Sequence, residues 1–335
     1  MTVRFGVIGA GWVSASRHQP AIKRASSAEL VAVYDRNPDK TAAKDTDAVW
    51  TSDIDEFYGL GLDAVSICTP PDSHYDLTID ALGRGVHVFC EKPMAMNIDE
   101  AESMAAAAVA SDRLLCVSHN FLWSPAMVKA RKAIDAAGQL LYVSATQLSS
   151  DNRRLPRWYS DLPGGLLFDE IPHILYIFND LLGPEVNVDA VYPTWADRTS
   201  EPQSCSIVVS GSKGTGHVNI VFGAPVSEWH VTSVSERSVV DVDLFRDVMI
   251  STGSDGEHKA RDVLATSLRV TGGHLLGFAA SGARLVMGRQ YWGHDTLLAS
   301  FVDAIESGGP SPVSTQSALA VVRASDQVVN GLVRG

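Results

Sequence analysis

The chain has 335 residues, 45% hydrophobic and 20% charged, enough for two packed domains or one large one, since single cores stop growing near roughly 250 to 300 residues. That composition excludes disorder, collagen and small disulfide scaffolds. The 39 acidic against 27 basic residues leave a net charge of -12, which opposes a phosphate backbone, so no nucleic-acid partner is expected.

No run approaches the roughly 20 apolar residues of a bilayer span, and MTVRFGVIGAG enters a strand pattern without a charged leader or cleavage site. A soluble, cytoplasmic protein with no membrane partner is expected. Cys68, Cys90, Cys116 and Cys205 lie in apolar runs without metal-type spacing and read as reduced, buried hydrophobes.

From Val3 to about Ser118 short β-branched runs alternate with helical stretches. Strands are predicted over 3–8, 30–34, 47–50, 63–68, 86–90 and 114–118, with helices near 12–25, 38–45, 72–84 and 98–110. Nearly continuous apolar strands separated by helices indicate a parallel sheet covered on both faces, a doubly wound α/β domain over residues 1–120. Beyond it come a helix near 125–137, a long polar and aromatic segment, and a helix over 165–182. Strands follow near 186–192, 204–210, 216–222, 227–234, 237–244 and 247–251. Consecutive strands with short turns make residues 121–335 an α+β domain with a large, mostly antiparallel open sheet. Two final helices over 293–334, broken at 307–312, can pack back on the first domain.

The first strand runs into Gly9-Ala10-Gly11-Trp12-Val13-Ser14. The first Gly permits the tight turn and the second lets backbone approach a pyrophosphate, which the following helix N-terminus favours. Gly9, Gly11, Trp12 and Val13 are therefore cofactor candidates; Ser14 stands where the full fingerprint has Gly or Ala. The next strand ends at Asp35, 24 residues after Gly11, placed to accept ribose hydroxyls and to repel a 2′-phosphate, which favours NAD over NADP. Arg36 can stack on adenine or attract that phosphate. The segment Asp35-Arg36-Asn37-Pro38 also reads as a plain turn and helix cap.

Two further segments follow strands four and five: Thr69-Pro70-Pro71-Asp72-Ser73-His74 and Glu91-Lys92-Pro93. Together with the glycine turn, His119-Asn120-Phe121 and Ser124-Pro125, they resemble the Gfo/Idh/MocA family, the glucose-fructose oxidoreductase and inositol dehydrogenase group of NAD(P)-dependent enzymes. The resemblance covers essentially the whole chain. It implies that Lys92 lies beside the nicotinamide and the reacting carbon, and that the Lys92-Pro93 bond is often cis. An ammonium there stabilises a developing alkoxide. Thr69, Pro70, His74, Glu91 and Asn120 are candidate cofactor contacts, with a pure packing role for His74 left open; Lys92 and Asn120 are also substrate candidates.

Gly164-Gly165-Leu166-Leu167-Phe168-Asp169-Glu170-Ile171-Pro172-His173 is similar to the family's G-G-x-x-x-D-x-x-x-H signature. Asp169 and His173, four apart, share a helix face. By that resemblance His173 is the general acid/base and Asp169 orients substrate or imidazole. Pro172 predicts a kink or a later helix start. Glu170 and His173 have a spacing compatible with a metal pair, but no second cluster completes it, and no metal is expected. Arg153, Arg154, Arg157 and Trp158 form a loop that suits a polyhydroxylated or anionic substrate, or is simply a solvated basic loop.

These features predict an NAD-dependent oxidoreductase acting on a secondary alcohol of a sugar, sugar derivative or cyclitol. The alternatives are a redox-neutral lyase or glycosidase that reoxidises its own cofactor, and a non-catalytic NAD(P)-binding regulator. The family resemblance further implies a homodimer or homotetramer through the sheet of the second domain.

Overall fold

The computed structural model describes residues 2–41, 47–152, 155, 157–195, 201–254, 256–257, 259–288 and 292–332. It divides into two compact units, residues 1–120 with 293–323, and residues 121–292 with 324–335.

The first unit is built on six parallel strands: β1 (Val3–Ile8), β2 (Ala28–Tyr34), β3 (Val49–Thr51), β4 (Ala64–Ile67), β5 (His87–Cys90) and β6 (Leu115–Val117). Their order, β3-β2-β1-β4-β5-β6, reverses direction between β1 and β4, and ligands bind such sheets outside the carboxyl ends at that point. Every residue of β4 is buried, as expected of a strand with helices on both faces. A π-turn over Ser14–His18 runs into α1 (Gln19–Arg24), followed by α2 (Pro38–Thr41), α3 (Ile54–Gly59), α4 (His74–Gly83) and α5 (Ile98–Ala110). The short α3 escapes the periodicity reading because six residues carry less than two turns of pattern; its signal is the cap, where Asp53 accepts the N–H groups of Asp55 and Glu56. Ile8, Val65, Ile67, Val88, Leu82 and Met104 belong to one core cluster, which Ala318 and Val322 join from the C-terminal part of the chain.

The second unit carries a seven-stranded sheet, β7 (Leu140–Ser150), β8 (Asn187–Trp195), β9 (Pro202–Gly211), β10 (Gly214–Ala224), β11 (Glu228–Ser235), β12 (Ser238–Asp243) and β13 (Val248–Gly253). The order is β13-β12-β11-β7-β10-β9-β8, antiparallel except for the β7/β10 pair. The central strand β7 lies in the segment that the sequence marks as irregular. Its inward positions include Gln147 and Ser149, and polar inward residues erase the two-residue alternation. The helices are α6 (Pro125–Ala136), α7 (Leu166–Leu182), which packs on β7, β9 and β10, and α8 (Ala260–Val286), which packs on β13 and was not anticipated.

The last helices are α9 (His294–Ser307) and α10 (Thr315–Leu332). In the first unit α9 packs on α1, β1 and β5, with the Phe301 ring 6.3 Å from Phe5 and 5.6 Å from Phe89. Among the described residues no helix is long and apolar enough to cross a membrane.

Candidate active site

In the first unit the site residues gather at the carboxyl ends of β1, β2, β4 and β5. Gly9 has φ +97°, and a Cβ there would lie 3.0 Å from the Cys68 carbonyl, so only glycine fits this turn. At Gly11 a Cβ would meet nothing within 4 Å, so one backbone face of the loop stays open. That cradle fits a pyrophosphate. Trp12 is exposed with the Arg17 guanidinium 5.0 Å over its ring, and Val13 is half-buried. Asp35, at the end of β2, accepts the Ala10 N–H at 2.9 Å and the Asn37 N–H at 3.0 Å, with Lys40 Nζ at 3.3 Å. Burial pushes its carboxyl up, but these donors outweigh burial and hold it below the usual range. Arg36 beside it is exposed.

The loops after β4 and β5 are joined by His74. Its Nδ1 lies 2.7 Å from the Pro93 carbonyl oxygen and its Nε2 2.9 Å from that of Thr69. The imidazole is wholly buried, and burial lowers its pKa against the two carbonyls. The Lys92-Pro93 bond is cis. Glu91 also turns inward: Oε2 accepts the Lys92 N–H at 3.1 Å, while Oε1 lies 2.6 Å from His18 Nε2 and 3.7 Å from His294 Nε2. His18 Nδ1 meets Ser66 Oγ at 2.7 Å. Burial raises the Glu91 carboxyl, yet the two imidazoles more than compensate and hold it well below its ordinary value.

The side chains of His74 and Glu91, cofactor candidates by sequence, also have partners within the chain, His74 facing two carbonyls and Glu91 two imidazoles and an amide. They brace the Lys92 loop from beneath. Thr69, Pro70 and the Lys92 side chain are half-buried at the strand ends, and Asn120 is buried after β6.

In the second unit Gly164 and Gly165 both have positive φ, +75° and +61°, a turn that glycine makes without strain, and α7 starts at once from Leu166. The later start expected from Pro172 does not occur. Proline removes one internal hydrogen-bond donor, but this position lies within the second turn and the buried helix face holds it in place. Asp169 and His173 stand one turn apart, both half-buried. His173 Nδ1 is 2.9 Å from Tyr176 Oη, and that oxygen accepts the Phe121 N–H at 3.2 Å. The imidazole is walled by Phe121 and Trp229, each at 5.2 Å between ring centres. Trp158 is half-buried in a short 3-10 turn over Arg157–Asp161; the Arg157 side chain, Arg153 and Arg154 lie outside the described residues.

Glu170 accepts hydrogen bonds from Gln147 Nε2 and, at 3.0 Å, from Ser149 Oγ, which uses its carboxylate in packing α7 onto β7. Among the described residues, two groups of potential ligands carry no spacing signal in the sequence: His18, Glu91 and His294, and Glu228, His230 and Asp243. The first is hydrogen-bonded internally. Arg246 binds the second, 2.5 Å from Asp243 and from Glu228. Tyr176 was also missed, although its i+3 spacing from His173 is a readable signal.

Comparison with known proteins bears on this arrangement. Residues 3–119 match the sequence model described as "Oxidoreductase family, NAD-binding Rossmann fold" of the Gfo/Idh/MocA proteins. Over 340 residues, 99% of this chain and 97% of the relative, the sequence is 27% identical to an inositol 2-dehydrogenase from Rhizobium meliloti (strain 1021). Residues 3–119 carry the NAD-binding Rossmann fold of the Gfo/Idh/MocA oxidoreductases. A second relative, a scyllo-inositol 2-dehydrogenase (NADP(+)) from Bacillus subtilis (strain 168), is 28% identical over 56% of this chain, and the match spans 61% of that relative. The fold is shared with a solved oxidoreductase from Agrobacterium radiobacter in complex with NAD+, L-tartaric acid and magnesium, with a TM-score of 0.81, 17% identity, and 100% and 97% of the two chains covered. As in its Gfo/Idh/MocA relatives, the Rossmann half of this chain is an NAD(P)-binding fold.

Proposed function

We propose that the protein is an NAD-dependent dehydrogenase acting on a secondary alcohol of a sugar, sugar derivative or cyclitol. The observation that carries this reading is the pair of prepared groups: Lys92 on a loop braced by Glu91 and His74, and His173 on α7 with its Nδ1 side fixed by Tyr176. A packing-only lysine or histidine needs no such support. Bound NAD supplies the hydride-accepting ring. The chain's part is position and charge. In the oxidative direction His173 Nε2 takes the hydroxyl proton, the Lys92 ammonium stabilises the oxygen as charge develops, and Asp169 orients the substrate or the imidazole. Asn120, Trp158 and the arginines of 153–157 bind the rest of a polyhydroxylated substrate.

Asp35 supports NAD over NADP, because a carboxylate held ionised beside the glycine loop repels a 2′-phosphate. Relatives named for inositol dehydrogenation support a cyclitol or sugar ring. A homodimer or homotetramer through the sheet of the second unit, in a soluble cytoplasmic enzyme, completes the reading.

The test is a panel of inositols, sugars and nucleotide sugars with NAD and NADP, followed at the reduced-nicotinamide absorbance. Turnover with at least one ring polyol, faster with NAD, is expected. Lys92→Ala is expected to lower kcat about 100-fold or more with little change in NAD affinity, on the scale of losing one oxyanion-type donor. Tight NAD binding with no turnover across the panel would overturn the net-dehydrogenase reading, and a fully active Lys92→Ala variant would remove Lys92 from the mechanism.

A further inference from the structure

The helix α8 presents two unlike faces. Toward β13 it turns small residues: a Cβ on Gly277 would lie 2.5 Å from Val248 Cγ1 and one on Gly273 3.3 Å from Ile250, while Ser281 is buried and Arg284 pairs with Asp247 at 2.6 Å. About half a helical turn around from this line run Leu264, Leu268, Thr271, Leu275, Phe278, Gly282 and Leu285, spaced alternately by four and three. That 3.5-residue period is the seam of a coiled coil. Its large members are solvent-exposed, at 60% for Leu264, 65% for Leu268 and Leu275, 69% for Phe278 and 63% for Leu285. The flanking positions, Ala265, Gly272 and Ala279 on one side and Ser267, His274 and Ser281 on the other, are small apart from one histidine and carry no lysine, arginine or carboxylate.

Gly282 sharpens the point. A Cβ there would meet nothing within 4 Å, so nothing in the chain itself requires glycine, although glycine inside a helix costs stability relative to alanine. A neighbouring helix would supply the reason.

We propose that α8 pairs antiparallel with α8 of a second copy, across a two-fold axis between Thr271 and Leu275. In this register Leu264 faces Gly282, Leu268 faces Phe278 and Leu275 faces Thr271, so each of these layers joins a large side chain to a smaller or equal one, and at either end Leu285 meets Arg261, whose aliphatic stem can lie along it. A parallel pair would instead stack Gly282 on Gly282 and Thr271 on Thr271, leaving two voids, and Phe278 on Phe278. The antiparallel arrangement is isologous and closes at two subunits. With roughly 100 Å² removed from water per large apolar side chain, Leu264, Leu268, Leu275, Phe278 and Leu285 of two copies come to about 1,000 Å², the lower bound of a specific interface. This contact is separate from the sheet-mediated assembly and does not depend on the catalytic reading.

The test is particle mass by sedimentation equilibrium of the full chain, with helix content followed by circular dichroism. The wild type is expected to contain an even number of subunits, and Leu275→Arg to halve the mass with helix content retained. Gly282→Leu is expected to do the same, because the added side chain meets open space within one chain but Leu264 of the other. The four native cysteines are buried, which keeps the background of a cross-linking experiment low. Under copper-phenanthroline oxidation, a mixture of Leu268→Cys and Phe278→Cys proteins is expected to yield an inter-chain disulfide that neither yields alone, since ten residues of helix separate like positions by about 15 Å. A monomeric wild type at tens of micromolar, an unchanged mass for Leu275→Arg, a homodisulfide from Leu268→Cys alone, or binding of a monomer to phosphatidylcholine/phosphatidylglycerol vesicles would each overturn the pairing.

Discussion

Replacing Glu91 by glutamine changes one atom in a fully enclosed cluster, and the cost follows from counting donors. The carboxylate presents two acceptor oxygens, Oε1 to His18 and His294 and Oε2 to the Lys92 N–H. The amide has one oxygen: turned to the backbone, its NH₂ meets the Lys92 N–H, and turned to His18 it forces that ring to move its proton to Nδ1 and gives up the charge-assisted bond. A buried orphaned donor costs about 1–3 kcal/mol, and turning a charge-assisted bond into a neutral one removes about 1 kcal/mol more. Glu91→Gln is therefore expected to destabilise the first unit by about 2–4 kcal/mol. For a unit of this size that corresponds to a fall in Tm of about 5–15 °C.

The pH dependence has a definite sign. Because the folded carboxyl is held well below 4.5, its contribution is present above that value and is lost only as pH falls through the folded pKa. The difference between wild type and variant is then constant from pH 8 to 5. Differential scanning calorimetry over that range measures it, and kcat of the variant is expected to fall while NAD affinity holds, since the cluster beneath Lys92 loses its charge and must rearrange. A Tm within 2 °C of wild type would refute the donor count, and an unchanged kcat would refute the bracing of Lys92.

Other expectations concern the remaining groups. Gly11→Ala, whose Cβ meets open space, is expected to leave Tm unchanged yet weaken NAD at least about tenfold by intruding on the pyrophosphate approach; equal affinity in calorimetric titration would show that the loop does not hold the cofactor. Tyr176→Phe removes the hydroxyl at His173 Nδ1 and orphans the buried Phe121 N–H, so a loss of about 1–3 kcal/mol in urea unfolding and a displaced pH profile of kcat/KM are expected. An unmoved profile would make Tyr176 structural only. Burial pushes the His119 imidazole down to about 3, with Glu91 opposing, and lowers that of His74. His119 stays neutral when folded between pH 7 and 5 while the unfolded chain takes up a proton there below about 6.5, so its stability contribution is present above that pH and drains as pH falls, by about 1.4 kcal/mol per pH unit. A flat unfolding free energy from pH 7 to 5 would contradict this.

The fold was legible wherever a segment's burial pattern follows from its own neighbours in the sequence. The central strands of the first sheet and the helix 98–110 are of this kind: strands covered on both faces are largely apolar, and a helix between caps is periodic. Two long elements were not legible. In β7 the inward Gln147 and Ser149 are paired with Glu170, 23 and 21 residues further along, so polarity there reports a distant partner rather than exposure. In α8 both faces are apolar or small, so no single stripe marks it as an amphipathic helix.

The site divides along the same line. Gly9, Gly11, Asp35, Lys92, Asp169 and His173, the residues proposed to act, each sit at a fixed offset from a strand or helix end, and the chemistry of a glycine turn or a lysine before proline is local. The residues that hold those groups in place come from afar. His18 reaches Glu91 across 73 positions, and His294 comes from the far end of the chain. A buried carboxylate obliges the fold to supply donors, yet it does not say from where, because any imidazole brought to 2.6 Å satisfies the same desolvation demand. That asymmetry is plain at Glu91: its position in Glu91-Lys92-Pro93 is set by the strand end, whereas its direction is set by two histidines that no spacing rule connects to it. A motif thus names which residue types the chemistry needs at the surface of the cleft, while the side chains beneath must be found by asking where each buried charge is answered.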